Sequence, residues 1–236
     1  MKQLITFLFL AILLSINITA KGEGIRLDQT RLVVNSDSNN LIFSIVNDDS
    51  SPYLIQAAIT DQIEGQKSKY FIVTPPLFRL DAKNKFSARV FLKNKNELPT
   101  DRESLFYLNT RAIPATKESN KQETNAKLTF VTNIIIKVFY RPSHLAVPNN
   151  EVFKKVTLTS SGSTWQFNNP TPYYFTIVNI NMNHKAYKKS LILPPFNHVV
   201  LKKSDSEISQ VSWQMINDFG GLTEVFEGRS ALSNEK

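Results

Sequence analysis

The 236-residue chain contains no cysteine. That excludes a disulfide framework, a cysteine nucleophile and thiolate metal sites, and the fold must rest on its core alone. Histidine is nearly as scarce. His144, His184 and His198 lie far apart, none with the spacing of paired metal ligands, and surface or loop positions suit them. Only seven glycines are present, and they form neither a glycine-rich phosphate loop nor a nucleophile turn of G-x-S-x-G type. Asp48-Asp49 stands among turn residues, where it would cap or shape a turn. Asp218, in Ile216-Asn217-Asp218-Phe219-Gly220-Gly221, is more conspicuous, yet Asn-Asp before two glycines is equally a hairpin signal. No paired-carboxylate motif occurs. The residues therefore argue for a binding protein and against an enzyme, with no cofactor or metal called for. Sustained helical periodicity is missing as well, so almost no helix is expected.

After Met1 to Ala20 there is no further run able to span a bilayer. That first stretch has Lys2, an apolar run from Leu4 to Ile16, and Ile18-Thr19-Ala20 as a small-residue cleavage site. The apolar run is shorter than the ~20 residues a membrane span needs, so the stretch reads as a secretory signal, cut after Ala20 or less readily after Gly22. The whole chain carries a net charge of +8, and residues 1–20 hold one lysine and no acid, so the exported chain stays basic. A basic balance invites a nucleic-acid reading. The cations are scattered, however, in short pairs such as Lys154-Lys155, Lys188-Lys189 and Lys202-Lys203, which suits strand edges blunted by lysine better.

What the chain does have is 16 Phe, 7 Tyr and 11 Pro, the mix of an all-β protein with defined turns. Strands are expected at Ile25 to Val34, Leu41 to Val46, Tyr53 to Thr60, Tyr70 to Thr74, Leu77 to Leu80, Lys85 to Leu92 and Ser104 to Ile113. Turn residues separate them at roughly 8–12-residue intervals, the spacing of an Ig-like sandwich. Pro75-Pro76 marks a candidate cis peptide. A polar loop, Ala115 to Asn125, precedes the longest strand signal, Ala126 to Pro142. At ~3.4 Å per residue this stretch would extend roughly 55 Å, far more than one sheet needs. Such a strand either bridges two modules or offers part of its length to something else. Beyond Pro142 the pattern restarts, with strands expected at Phe153 to Thr159, Thr164 to Phe167, Tyr173 to Asn179, Lys189 to Leu193, His198 to Leu201, Gln210 to Ile216 and Thr223 to Phe226. The organisation is a signal over 1–20, a first β-sandwich over 21–142 and a second over 143–236.

Several pieces, in order, resemble the periplasmic chaperones of the chaperone/usher pathway, the PapD-like family that assembles bacterial pili. They are Leu27-Asp28-Gln29-Thr30-Arg31, Asn47 with Pro52-Tyr53-Leu54-Ile55-Gln56, and Phe71 to Leu80. Leu98-Pro99-Thr100-Asp101-Arg102-Glu103-Ser104-Leu105-Phe106, Asn109 with Ala112-Ile113-Pro114, and Ile136 to Pro142 follow. The second domain adds Asn169 to Tyr174, Leu193-Pro194-Pro195-Phe196 and Ile216 to Gly221. The resemblance implies two Ig-like β-sandwich domains set as an L or boomerang. It also implies donor-strand complementation, a form of strand addition for which pilus chaperones are a standing example. The partners implied are a pilus subunit, bound one to one, and an outer-membrane usher. Neither nucleic acid nor a membrane span is implied, and the exposed strand would also permit self-association. A tandem Ig-like pilus subunit is the competing reading, but such subunits commonly carry a disulfide and an incomplete sandwich.

The resemblance implies roles for particular residues. Leu128, Phe130 and the position of Thr132 would be donated to the subunit's core, with Ile134 on the same face of the strand. Thr132 replaces the usual larger apolar residue. The alternative is that this face packs in the chain's own core. Arg31 and Lys137 would grip the subunit's C-terminal carboxylate, and Glu103, Arg141 and Asp218 would form the ion pairs between domains. Strict alternation sets Lys137 on the face opposite Leu128 and Phe130, so a bulge or strong twist is expected near Asn133 to Ile136. The loop from Ala115 to Asn125 points to the short-loop branch of the family.

Overall fold

The computed structural model of the chain describes residues 24–38, 40–115, 129–161, 164–183, 185–202 and 210–229. Among these residues, nine strands build the first sandwich. They are β1 (Ile25–Leu27), β2 (Arg31–Asn35), β3 (Asn40–Asn47), β4 (Tyr53–Thr60), β5 (Phe71–Thr74), β6 (Leu77–Leu80), β7 (Lys85–Leu92), β8 (Ser104–Pro114) and β9 (Thr132–Arg141). One sheet runs β1-β3-β7-β5 and the other β2-β9-β8-β4-β6. Alternation does the packing. In β8, Phe106, Leu108, Thr110 and Ala112 are buried, whereas Arg111 is exposed and Tyr107 and Asn109 are half-buried. The inward rows of both sheets meet in one core that includes Leu32, Phe43, Ile55, Leu80, Val90 and Val138.

The single first strand expected over Ile25 to Val34 is in fact two. At Asp28 the backbone N–H donates to the Ser44 carbonyl (3.1 Å) and the carboxylate accepts from the Ser44 N–H (2.9 Å). Those bonds keep β1 on β3. The chain then crosses the sandwich, and β2 pairs with β9 in parallel, Arg31 opposite Lys137. The Thr74–Pro75 peptide is cis.

The second sandwich comprises β10 (Thr157–Ser161), β11 (Thr164–Asn169), β12 (Phe175–Met182), β13 (Lys185–Ala186), β14 (Leu191–Leu193), β15 (Asn197–Lys202), β16 (Gln210–Met215) and β17 (Phe226–Arg229). Its sheets are β10-β11-β15 and β13-β12-β16-β17, with β14 also on β12. The core is separate and holds Trp165, Phe167, Phe175, Ile177, Leu193 and Trp213. Two expected strands change here. Asn150–Phe153 is a helical turn, because the Asn149 side chain caps the Val152 N–H (3.1 Å) and Phe153 is buried in the core. The strand expected over Thr223 to Phe226 begins only at Phe226, since Thr223 turns its hydroxyl to accept from the Met215 N–H (2.9 Å).

Each sandwich also uses one buried asparagine to hold a loop. Asn47 donates to the carbonyls of Ser51 (2.8 Å) and Asp81 (2.9 Å). Asn169 donates to those of Tyr173 (2.7 Å) and Pro194 (2.9 Å) and accepts from the Thr171 N–H and hydroxyl. A buried amide satisfied on both ends orders a loop that apolar packing could not reach.

Both tryptophans lie in the second core, which makes the two sandwiches separable by spectroscopy. Leu108→Ala should cost the first sandwich about 2–5 kcal/mol. Chemical denaturation followed by far-ultraviolet circular dichroism should register that loss, and tryptophan fluorescence should move far less.

Candidate functional site

β9 is longer than β2, one of the two strands beside it. It pairs with β8 along Thr132 to Tyr140 without a break, but β2 covers it only from Lys137 to Arg141. Among the described residues, the other edge of Thr132–Ile136 therefore has no partner strand. An open edge of this kind is a template for another chain.

The side chains follow the same division. On the inward row, Tyr140 and Val138 are buried in the first core and Ile136 packs against it. Outward along the strand, Ile134 is half-buried and Thr132 exposed, and Phe130, two residues before β9, is 76% exposed. The apolar row thus runs off the end of the chain's own core. Leu128 lies outside the described residues. The bulge expected near Asn133 to Ile136 is absent, since the ladder with β8 keeps one register throughout. No parity change is needed: Lys137 lies on the outer face, opposite the apolar row, where its neighbour is Arg31 of β2.

These two cations sit where β2 begins and the open edge ends. Arg31 is 9% exposed, with its guanidinium carbon 5.9 Å from the Phe139 ring centre. Its Nη1 donates to the Ile216 carbonyl oxygen in the second sandwich (3.2 Å), and its buried Nε has no hydrogen-bond partner among the described residues. Burial lowers the Arg31 guanidinium from its usual range, against the fields of Asp218 and Glu103. Burial, and then the charge of Arg31, hold the Lys137 ammonium below its usual range. Lys137 forms no salt bridge with any described residue. Two cations are thus packed side by side with no anion between them, an arrangement that favours binding of one.

Arg141, at the far end of β9, is the opposite case. Its Nε donates to Glu103 (2.7 Å), and Nη1 and Nη2 donate to the two oxygens of Asp218 (2.6 and 2.9 Å). The second Glu103 oxygen accepts from the Tyr174 N–H (2.7 Å), and the Glu103 N–H donates to the Pro172 carbonyl (2.9 Å). Arg141 also stacks on Tyr173, 5.4 Å from the ring centre. Burial alone would lower Arg141, but its bonds to Asp218 and Glu103 more than offset that and raise it. Burial pushes the Glu103 carboxyl up, opposed by Arg141 and the Tyr174 amide. Glu103, Arg141 and Asp218 therefore join the two sandwiches, while Arg31 and Lys137 have no salt-bridge partner among the described residues.

Sequence reasoning missed Phe139, Tyr107 and Ile216. Phe139 shares the parity of Lys137 and could have been read as the platform beside the cations. Tyr107 of β8 lies directly opposite Lys137. The Ile216 carbonyl is a backbone group 185 residues from Arg31, and no side-chain pattern announces it.

Two family models account for nearly all of the described chain. Residues 24–146 match the pili and flagellar-assembly chaperone PapD N-terminal domain, and residues 151–226 match the pili assembly chaperone PapD C-terminal domain. The chain belongs to the PapD family of pilus-assembly chaperones. It is 34% identical to the chaperone protein FimC of Escherichia coli O6:H1, over 96% of this chain and 95% of that one. The periplasmic chaperone SfaE superposes with a TM-score of 0.72 at 31% identity, over 88% of this chain and all of that one. The complex of the Salmonella enterica SafA pilin with the SafB chaperone matches with a TM-score of 0.76 at 26% identity, over 89% of this chain and 97% of the matched chain. As a member of this family the chaperone is no enzyme. It acts by binding.

Glu103→Ala should destabilise the free chaperone by about 3 kcal/mol, because the buried Nε of Arg141 and the Tyr174 N–H both lose their acceptor. Thermal or urea unfolding would measure it. Lys137→Met should do the reverse and add about 0.5–1 kcal/mol by removing a cation that burial and Arg31 disfavour. The sign of the pH dependence follows. A lysine held below its usual range binds fewer protons in the folded than in the unfolded state, so wild-type stability rises with pH in that window. The gap between the two proteins should narrow as pH climbs towards ordinary lysine values of about 10.4.

Proposed function

We propose that the chaperone binds a pilus subunit, one to one, by completing it with the outer end of β9, and then passes it to an outer-membrane usher. The observation that carries this reading is that the open edge of β9 ends at Arg31 and Lys137. A strand added to that edge in parallel would lie in line with β2. Its last residue would arrive at the cation pair, so the end of the strand is its own C-terminal carboxylate. The apolar row, with Phe130, Thr132 and Ile134, would extend the chaperone's core into the subunit's. Leu128 belongs to the same donated row. Burial of a leucine or phenylalanine there contributes roughly 1.5–3 kcal/mol, and Thr132 makes the weakest contact. Charge-assisted bonds from Arg31 and Lys137 contribute about 1.5–3 kcal/mol each. Glu103, Arg141 and Asp218 would orient the domains without touching the subunit. The reading assigns the chaperone to the periplasm, after export and removal of residues 1–20. It divides the mature chain into a donor domain over 21–142 and a second domain over 143–236.

Co-expression with a pilin subunit should yield a stable one-to-one complex on size exclusion. Arg31→Ala and Lys137→Ala should each weaken it by at least about tenfold while the free chaperone stays folded. Phe130→Glu should block binding through the same edge. Wild-type affinity in both cation variants would exclude the carboxylate grip, and wild-type affinity in Phe130→Glu would exclude the donated row.

A further inference from the structure

Arg31 is not held by its own domain alone. The one hydrogen bond its guanidinium makes among the described residues runs to the carbonyl of Ile216, where the second sandwich begins a tight turn. That carbonyl is firmly located. The Ile216 N–H donates to the Thr176 carbonyl (3.1 Å), and Ile216 bridges to Leu222. Beyond it the turn closes on itself. The Asn217 N–H donates to the Gly221 carbonyl (2.9 Å) and the Gly220 N–H to the Asn217 carbonyl (3.1 Å). The Asn217 side-chain oxygen accepts from the N–H groups of Phe219 (3.0 Å) and Gly221 (2.9 Å).

The same turn meets the anchor strand a second time. Gly220 has φ of +82°, and a Cβ on it would stand 2.5 Å from the hydroxyl oxygen of Thr30, the residue before Arg31. Glycine is thus required twice, for the backbone angle and for the close approach. One face of the turn locates the guanidinium, and the other locates the backbone that carries it.

We propose that the Ile216–Gly221 turn is a positioning element for the carboxylate-binding cations, so that the domain that donates no strand sets how firmly a subunit's C-terminus is gripped. This rests on the carboxylate reading given above. An arginine on an open face must give up rotamer freedom when it binds. Here the Ile216 carbonyl has already selected the position, and the unpartnered Nε remains buried beside it. Because coupling is reciprocal, a carboxylate held by Arg31 also tightens the contact between the domains.

The test uses the mature chain and two labelled synthetic peptides of one alternating apolar sequence, one ending in a free carboxylate and its twin in an amide. Binding is read by fluorescence polarisation, and folding of each variant by its tryptophan melting curve. The wild type should prefer the acid by about tenfold or more. Gly220→Ala and, separately, Asn217→Ala should cut that preference to about threefold or less while both still melt cooperatively. Thr30→Ala should restore part of the preference lost in Gly220→Ala, because it removes the atom the new Cβ meets. A turn that merely stabilised its own domain would not be rescued from across the interface. Variants that fold and keep the wild-type preference, while Lys137→Ala loses it, overturn the positioning role alone. No acid preference in the wild type overturns the carboxylate reading and this inference with it.

Discussion

The mismatch in length between β9 and β2 is the constraint from which the rest of the molecule follows. Beyond Lys137, β9 is an interior strand whose inward side chains, Val138 and Tyr140, lie in the first core. Before Lys137, the same strand has β8 on one side and no described strand on the other. A backbone left half-paired is tolerated because water can serve its N–H and C=O groups, but it remains ready for a better partner. The apolar row at Ile134 and the exposed Phe130 lacks an opposing sheet for the same reason. Both deficits end at one place, where β2 starts, and there the two cations stand.

The charges at the domain joint are divided in a way that suits a binding protein. Glu103 and Asp218 are committed to Arg141, which uses three nitrogens on them. Arg31 feels both carboxylates from a distance yet bonds to neither, and among the described residues the charge that acts on Lys137 is that of Arg31. Two unneutralised cations in a half-buried setting raise the free energy of the free protein. In the proposed complex a bound carboxylate would recover that cost. At Arg141 the pairing is complete, and its bonds run from the first sandwich to Asp218 in the second.

Much of this was legible in the residues. Alternating apolar rows and regularly spaced turns marked both sandwiches, and β4, β6 and β7 fall where the pattern put them. Failures came where a side chain competed with the local pattern. Asp28 bonded to Ser44 and split the first strand, Asn149 capped a helical turn at Phe153, and Thr223 bonded to Met215 and delayed β17. Each competitor is a short polar side chain reaching backbone, an effect that hydrophobic periodicity does not register. The bulge expected before Lys137 failed for another reason. It assumed that the cations and the apolar row must face one way, whereas in the proposed complex the row would meet side chains and the cations the end of a strand.

By itself, then, the amino-acid sequence determined the class of fold, the two-sandwich division and the family. It also marked the residues that carry charge and apolar bulk along β9, because composition and order settle those things locally. Only the tertiary structure decided that the outer edge of β9 is open, that Arg31 lies directly beside Lys137, and that the Ile216 carbonyl reaches Arg31 from the second domain. The physical reason is range. Strand pairing and a backbone carbonyl at 3.2 Å depend on residues more than a hundred positions apart, and nothing in either segment alone encodes the other's position.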